Sequence, residues 1–140
     1  MRELTEGWIA EKLSRRPWIL LERCRVSAVH KRPLGARGEY AGVVLSAAPA
    51  DRFCFVSDVT WPTSDNYDNW VLSGALDVLL CSGTNLPIGL TLTLESIEWH
   101  DVDSCAVAFY WATRAAVLEI AAFDAYGYPR NFRPPGSPQV

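Results

Sequence analysis

An alternating segment in the second half of the chain lies between two stretches with helical periodicity. Across 87–99, leucines alternate with threonines and a glutamate, the pattern of a strand with one buried face. Apolar residues recur at helical spacing over 70–81 before this strand and over 105–125 after it, which predicts two amphipathic helices. A strand between two such helices excludes an all-helical bundle and an all-β sandwich, and it favours an α+β domain.

Three further strands are predicted in the first half of the chain, at 18–30, 43–48 and 53–59. Segment 31–42 contains three glycines and a proline, so it is predicted to be a hairpin-like loop between the first two strands. In the long strand the alternation slips at Ser96–Ile97, which indicates a β-bulge or the end of regular pairing. The expected domain is one sheet with helices packed on one face.

The two ends of the chain are predicted to lie outside this domain. Residues 1–16 have the spacing of an amphipathic helix, which Pro17 ends, and its apolar face is expected to pack on the domain or on a second copy. That face consists of Leu4, Trp8, Ile9 and Leu13. The proline-rich C-terminal segment cannot form a packed core and is predicted to be extended or disordered. The predicted boundaries are 1–17 for the helical extension, 18–126 for the domain and 127–140 for the tail.

Length and composition fit one globular domain. The chain has 140 residues, of which 49% are hydrophobic and 21% charged, enough to bury a core without cross-links. No apolar run approaches the roughly 18 residues of a membrane span, and the charged N-terminus lacks a signal-peptide pattern. We therefore expect a cytoplasmic protein without membrane contact. Four of the six tryptophans lie on predicted elements and are expected mostly in the core: Trp18, Trp70, Trp99 and Trp111.

No residue pattern predicts a catalytic centre, a metal site or a cofactor. The four cysteines form no closely spaced pair of the kind that binds zinc, and they are expected to be buried or half-buried thiols. His100 precedes two carboxylates, and a carboxylate can orient an imidazole for acid–base chemistry. No nucleophile of defined placement accompanies it, and Asp103 or Ser104 is equally suited to cap the following helix. The sequence has no phosphate-binding GxxxxGK[ST] loop, so GTP binding is not expected.

Positive charge is concentrated in the first part of the chain. Residues 1–38 contain nine Lys and Arg against four acidic residues, whereas the other 102 residues contain four against twelve. A basic face on an acidic body is suited to a polyanion, although chance clustering on a solvated surface produces the same count. Around the predicted hairpin loop, the alternatives are phosphate contact and a solvated tip. The potential cations there are His30, Lys31, Arg32 and Arg37.

The segment LPIGLTLTLESIEWHDVDSCAVAF, at 86–109, resembles the last strand, tip loop and final helix of domain IV of translation elongation factor G. That family shows an aromatic residue followed by His-Asp-Val-Asp-Ser at the strand end, which matches residues 99–104. Its helix then opens with an Ala-Phe pair, which matches residues 108–109.

Two earlier segments extend this likeness. HKRPLGARGEY, at 30–40, resembles the family's basic strand end and its Gly-Gly-x-Gly-Gln-Tyr loop. The loop positions that match are Gly35, Gly38 and Tyr40. GALDVLLCSG, at 74–83, resembles the family's first helix, which also opens and ends with glycine. Together the similar segments span about residues 18–125.

The resemblance implies a split βαβ sheet with a left-handed crossover, an exception to the right-handed rule for such connections, to which this chain adds its N-terminal helix. It also implies that the two loops lie at one tip of the sheet. In the family, that tip contacts transfer RNA and messenger RNA in the decoding site. The RNA-binding residues implied by the resemblance are His30, Lys31, Arg32, Gly35, Arg37, Gly38, His100, Asp101 and Asp103.

The first loop departs from the family pattern at several positions. Ala36 replaces the second glycine, and Ala41-Gly42 replaces the usual Gly-His. Glu39 replaces a glutamine, which puts a negative charge where the family loop approaches RNA. The broken glycine pattern and Glu39 favour a domain that kept the fold and lost RNA binding.

Two functions remain open from the sequence. The first is a non-catalytic module that binds the ribosome or another structured RNA, favoured by the intact HDVDS segment and the basic N-terminal part. The second is a protein-interaction or self-association domain that kept the fold and lost RNA binding, with the N-terminal helix as a route to a homo-oligomer. An enzyme acting through His100 is a third option, without a supporting nucleophile.

Overall fold

The computed structural model describes residues 17–34, 37–80 and 88–134, apart from the side chains of Leu34 and Arg37. Within these residues it contains six strands and two helices, which confirms the predicted α+β class. In chain order the elements are β1 (Trp18–Leu20), β2 (Cys24–Leu34), β3 (Arg37–Pro49), β4 (Cys54–Ser57), α1 (Asp68–Leu80), β5 (Ile88–Glu98), α2 (Ala106–Ala121) and β6 (Phe132–Arg133).

Strand β5 is the centre of the sheet. On one side it pairs antiparallel with β3, which in turn pairs antiparallel with β2. It also pairs parallel with β1 near its start and with β4 further along, and β6 extends the sheet beyond β1. Strand β4, helix α1 and strand β5 therefore form the expected βαβ unit with parallel strands. The left hand of that crossover stays a prediction.

The alternation of β5 has the expected result, because Leu90, Leu92 and Leu94 are all buried. The predicted bulge is also present, one residue before its expected position. Val44 pairs with Ser96, whereas its neighbour in β3 pairs with Leu94, so one residue of β5 is left over between them. The bulge shifts the alternation by one residue, so that Ile97 and Trp99, rather than Ser96, pack against the core.

The two helices pack closely against each other, and α2 lies against β2 and β3. Small residues permit this approach, since Ala108, Ala112 and Ala116 of α2 have no exposed surface. A Cβ atom at Gly74 of α1 would lie 2.6 Å from the backbone oxygen of Tyr110. The close packing of the helices therefore depends on small residues as much as on apolar ones.

The single strand predicted over 18–30 is wrong, because the chain breaks at residues 21–23 into β1 and β2. These two strands lie on different sides of β5 in the sheet, and alternation within a strand carries no information about its neighbour. The predicted loop at 31–42 is also wrong, since β2 continues to Leu34 and β3 starts at Arg37.

The glycines that suggested that loop serve close packing instead. A Cβ atom at Gly38 would lie 2.9 Å from the backbone oxygen of Arg32, and one at Gly42 would lie 2.8 Å from the Cβ atom of Glu98. Two of the three glycines in this segment are therefore strand residues at points of close contact. Gly35 and Ala36 lie outside the described residues.

Helix α2 begins and ends differently from the prediction. Cys105 is its N-cap residue and makes no side-chain capping bond, while Asp103 and Ser104 bond elsewhere. The helix ends at Ala121 rather than near residue 125. Ala122 adopts a left-handed conformation and its N–H donates to the carbonyl of Leu118, which satisfies one of the last carbonyl groups of the helix.

The C-terminal segment contributes to the core, and the expectation of an unpacked tail is wrong for residues 127–134. Phe123 and Pro129 form an isolated β-bridge, and β6 then pairs with β1. Phe132 is 3% exposed. The remaining residues, 135–140, lie outside the described part, as do the predicted N-terminal helix, Cys81 and Gly83.

The tryptophans are distributed differently from the expectation. Trp70 and Trp111, predicted in the core, are 46% and 45% exposed, because each lies on the outer side of its helix. Trp61, in a loop, is instead buried. None of the helices that the structure describes is long and apolar enough to cross a membrane.

Candidate functional site

The end of the β2–β3 hairpin and the loop after β5 form one structural unit, called here the tip and defined as residues 30–32, 38–40 and 98–104. The backbone N–H of Tyr40 donates to the carbonyl of Asp103 at 2.9 Å. The N–H of Gly38 donates to the Asp103 carboxylate at 3.1 Å, and the Ser104 hydroxyl donates to the carbonyl of Tyr40 at 2.9 Å. The prediction that both loops lie at one end of the sheet is therefore confirmed.

The loop after β5 is also closed on itself. The Ser104 N–H donates to the carbonyl of His100 at 2.9 Å, and the His100 N–H donates to the Ser104 hydroxyl at 2.8 Å. The imidazole accepts through Nδ1 from the N–H of Asp103 at 3.2 Å, so in this arrangement a neutral ring carries its proton on Nε2. With 54% of its side chain exposed, His100 remains accessible to a ligand.

An aromatic cluster anchors this loop to the domain. Trp99, the residue before His100, stacks on Phe109 at 5.7 Å between ring centroids and on Tyr67 at 5.9 Å. Trp61 contacts all three rings edge-on, and its indole N–H donates to Asp68 at 3.0 Å. These ring contacts fix the end of β5 against Phe109 of α2 and against Tyr67, the residue before α1.

His30 and Glu39 are paired across the hairpin. Nε2 of His30 lies 2.9 Å from Oε1 of Glu39, and only 22% and 17% of their side chains are exposed. The register of β2 and β3 pairs His30 with Ala41, so Glu39 is its diagonal neighbour on the same face of the sheet. The Glu39 carboxylate is therefore directed at an imidazole of the same chain.

Tyr40 and Glu98 form a second pair, on the opposite face of the hairpin. The Tyr40 hydroxyl donates to the Glu98 carboxylate at 2.6 Å, and this hydrogen bond, with smaller contributions from burial and from the charge, raises the pKa of the phenol. The Tyr40 ring lies 6.2 Å from the His100 ring in a tilted arrangement. His100 is therefore flanked by an aromatic ring and by the backbone of its own loop.

The cations of the tip are divided between two faces. Lys31 lies opposite Tyr40 and Arg32 lies opposite Glu39, and both are exposed. Because successive strand residues point to opposite faces, these two side chains point away from each other. The structure brings together His30, Lys31, Arg32, Gly38, His100, Asp101 and Asp103 of the predicted site. Gly35 and the side chain of Arg37 lie outside the described residues.

The sequence-based prediction missed the roles of Glu39, Glu98 and Ser104. The pairing of His30 with Glu39 requires the register of β2 and β3, which the alternation within β2 does not supply. Among the described residues, no group of three or more His, Cys, Asp or Glu side chains could hold a metal ion. Cys24, Cys54 and Cys105 are half-buried free thiols, and burial raises the pKa of Cys24.

Comparisons with known proteins identify a fold and no family. No protein-family model matches the chain, and no curated protein matches its sequence. The structure is similar to part of a crystal structure of a protein from Thermus thermophilus, with a TM-score of 0.63 and 21% identical residues. The similarity covers 75% of this chain and 17% of that protein. At that identity the likeness shows a shared fold alone.

Proposed function

We propose that this chain is a non-catalytic binding module of the elongation factor G domain IV type, and that its tip contacts the ribosome or another structured RNA in the cytoplasm. The observation that supports this most directly is the single tip. Two segments separated by about sixty residues in the sequence are joined there by hydrogen bonds between Gly38, Tyr40, Asp103 and Ser104. The resemblance associates those two segments with RNA contact.

The exposed side chains of the tip are of the types that bind RNA, namely cations and planar rings. Lys31 and Arg32 can neutralise phosphates without reading sequence, while His100 and Tyr40 present rings on which an unpaired base can stack. No such contact requires a nucleophile, a metal ion or GTP. The proposed role is therefore recognition by shape and charge.

Co-sedimentation with ribosomes at low and moderate salt tests the proposal. Binding should weaken as salt rises, because each phosphate that is neutralised releases condensed counterions. Replacing Lys31, Arg32 and Arg37 together by alanine should weaken binding and reduce the salt slope by up to about two to three units.

The matched control removes three arginines from the opposite end of the sheet: Arg52, Arg130 and Arg133. This control changes the net charge equally and should leave the salt slope close to that of the unmodified chain. Absence of ribosome and RNA binding even at low salt contradicts the proposal.

The second candidate function, association with another protein or with a second copy, is favoured by an exposed stripe on α2. Val107, Trp111 and Leu118 lie at helical spacing and are all exposed, and the Arg114 guanidinium lies over the Trp111 ring at 5.4 Å. Analytical ultracentrifugation of the chain and of a Trp111→Ser, Leu118→Ser variant tests it. A dimer that the variant loses supports self-association, whereas a monomer at all concentrations contradicts self-association.

A further inference from the structure

Both histidines of the chain lie at the tip. The sequence contains two histidines, His30 and His100, and imidazole is the side chain whose charge ordinarily changes between about pH 5 and 8. Both imidazoles of the chain therefore belong to the proposed binding site. The rest of the chain supplies no other imidazole.

Each imidazole faces a carboxylate. His30, on β2, faces Glu39 on β3 at 2.9 Å and shares its face of the sheet with Arg32. His100 lies with its Nδ1 atom 3.7 Å from the Asp103 carboxylate, so a protonated ring can exchange its bond from the Asp103 N–H for an ion pair with that side chain. On its other side, His100 faces Tyr40, which is bonded to Glu98.

Helix α2 packs on β2 and adds little charge near either ring. Its charged residues are Arg114 and Glu119, both at least two turns beyond the helix start at Ala106, which is the end next to the tip. The titratable groups nearest that end are the thiol of Cys105 and the phenol of Tyr110, which donates to Asp77 of α1. The charge of the tip is therefore set by its own residues.

The balance of charge at the tip changes with the two imidazoles. With neutral histidines, the two described cations, Lys31 and Arg32, stand against four carboxylates, those of Glu39, Glu98, Asp101 and Asp103. Protonation of both rings brings the described charges into balance. Arg37 adds one positive charge in the sequence, so the whole hairpin and loop change from net negative to net positive.

We infer that proton uptake by His30 and His100 regulates the tip, so that it binds RNA weakly at neutral pH and more tightly as the pH falls. This inference rests on the proposed function. Glu39 makes the change in RNA affinity large, because its carboxylate repels RNA phosphates until the protonated His30 neutralises it. In the family pattern, a glutamine at this position carries no such charge.

The test is the affinity of the full chain for a fluorescently labelled RNA stem-loop at pH 7.5 and pH 5.5, at one low salt concentration. Affinity should rise by at least about tenfold, because each histidine that takes up a proton on binding contributes up to a tenfold change per pH unit. Glu39→Gln should bind several-fold more tightly than the unmodified chain at pH 7.5 and should depend less on pH. Its amide oxygen can still accept from His30, which preserves the hairpin.

Two further variants separate a local effect from a general one. The His30→Gln, His100→Gln double variant should lose the pH dependence and stay weak at both pH values. Glu119→Gln makes the same charge change as Glu39→Gln far from the tip, and it should behave as the unmodified chain. Circular dichroism at both pH values checks that each variant is folded.

The outcomes separate this inference from the proposed function. RNA binding that is equally tight at both pH values overturns the regulation and leaves the RNA-binding proposal standing. A pH dependence that persists in the double variant also overturns it. Absence of RNA binding at either pH, together with absence of ribosome binding, overturns the proposed function and the regulation with it.

Discussion

The Oδ1 atom of Asp103 lies 3.1 Å from the backbone nitrogen of Gly38, a residue 65 positions earlier in the chain. A Cβ atom at Gly38 would lie 2.9 Å from the Arg32 carbonyl oxygen, so the absence of a side chain permits the close approach of β2 and β3 beside this contact. The carboxylate in the HDVDS segment thus has a structural role in joining the hairpin to the loop. The relative placement of the hairpin and the loop depends on this joint.

Replacing Asp103 by alanine should destabilise the domain by about 1–2 kcal/mol, because the half-buried Gly38 N–H would lose a charged acceptor. Asp103→Asn keeps an oxygen at that position and should cost less. Urea unfolding measures both. Asp101→Ala, at an exposed position of the same loop, is the control and should change stability by less than about 0.5 kcal/mol. Equal effects at the two positions would contradict the proposed joint.

Gly74→Ala tests the close contact between the helices. The added methyl group would lie 2.6 Å from the Tyr110 carbonyl oxygen and 3.2 Å from the Thr113 Cβ atom, so the helices must separate. We expect a net loss of about 1–2 kcal/mol from overpacking, despite the better helix propensity of alanine. Ser73→Ala, on the exposed side of α1, should be neutral or slightly stabilising in the same thermal unfolding assay. A stabilised Gly74→Ala variant would show that the contact is less tight.

Sequence periodicity predicted the elements that have one buried face, such as β5 and the two helices. It failed where the answer depends on which strand is the neighbour. Trp18 pairs with Ile88, whereas Cys24 pairs with Ala47, yet both belong to one alternating stretch of sequence. Glycine was equally ambiguous, since Gly42 marks a close approach to Glu98 rather than a turn.

The location of the tip was predictable, and its internal contacts were not. The resemblance placed the two segments at one end of the sheet, which the structure confirms. The pairing of His30 with Glu39 depends on the register that sets His30 opposite Ala41, and one residue of slippage would separate them. The role of Asp103 was predicted as a helix cap because capping is a local interaction, whereas its actual partner is distant in sequence.

Phe132→Ala tests whether the C-terminal segment belongs to the domain. The ring is 3% exposed and lies on β6, which pairs with β1, so its loss should destabilise the domain by about 3 kcal/mol. The exposed Arg130 provides the control, and Arg130→Ala should have little effect. Chemical unfolding followed by tryptophan fluorescence measures both variants. A Phe132→Ala variant as stable as the unmodified chain would mean that the domain ends at residue 126, as the sequence predicted.

The contact between Asp77 of α1 and Tyr110 of α2 should be visible as a tyrosine titration. The Tyr110 hydroxyl donates to the Asp77 carboxylate, and this hydrogen bond, followed by burial and by the negative charge, raises the pKa of the phenol. Arg114 acts in the opposite direction. The pKa of Tyr110 in the folded protein is raised above the ordinary value of about 10. The contact with Asp77 therefore contributes fully to the stability of the fold below that pH, and its contribution is lost as the pH rises through the pKa of the folded state.

Asp77→Asn should therefore lower the pH at which the Tyr110 phenolate forms, because the neutral amide no longer favours the protonated phenol. Absorbance at 295 nm follows the ionisation of the five tyrosines, and subtracting the curve of Tyr110→Phe isolates this one. Glu119→Gln, which removes a carboxylate elsewhere on α2, should leave the isolated curve in place. An unchanged curve in Asp77→Asn would mean that the hydrogen bond between the two helices does not persist in solution.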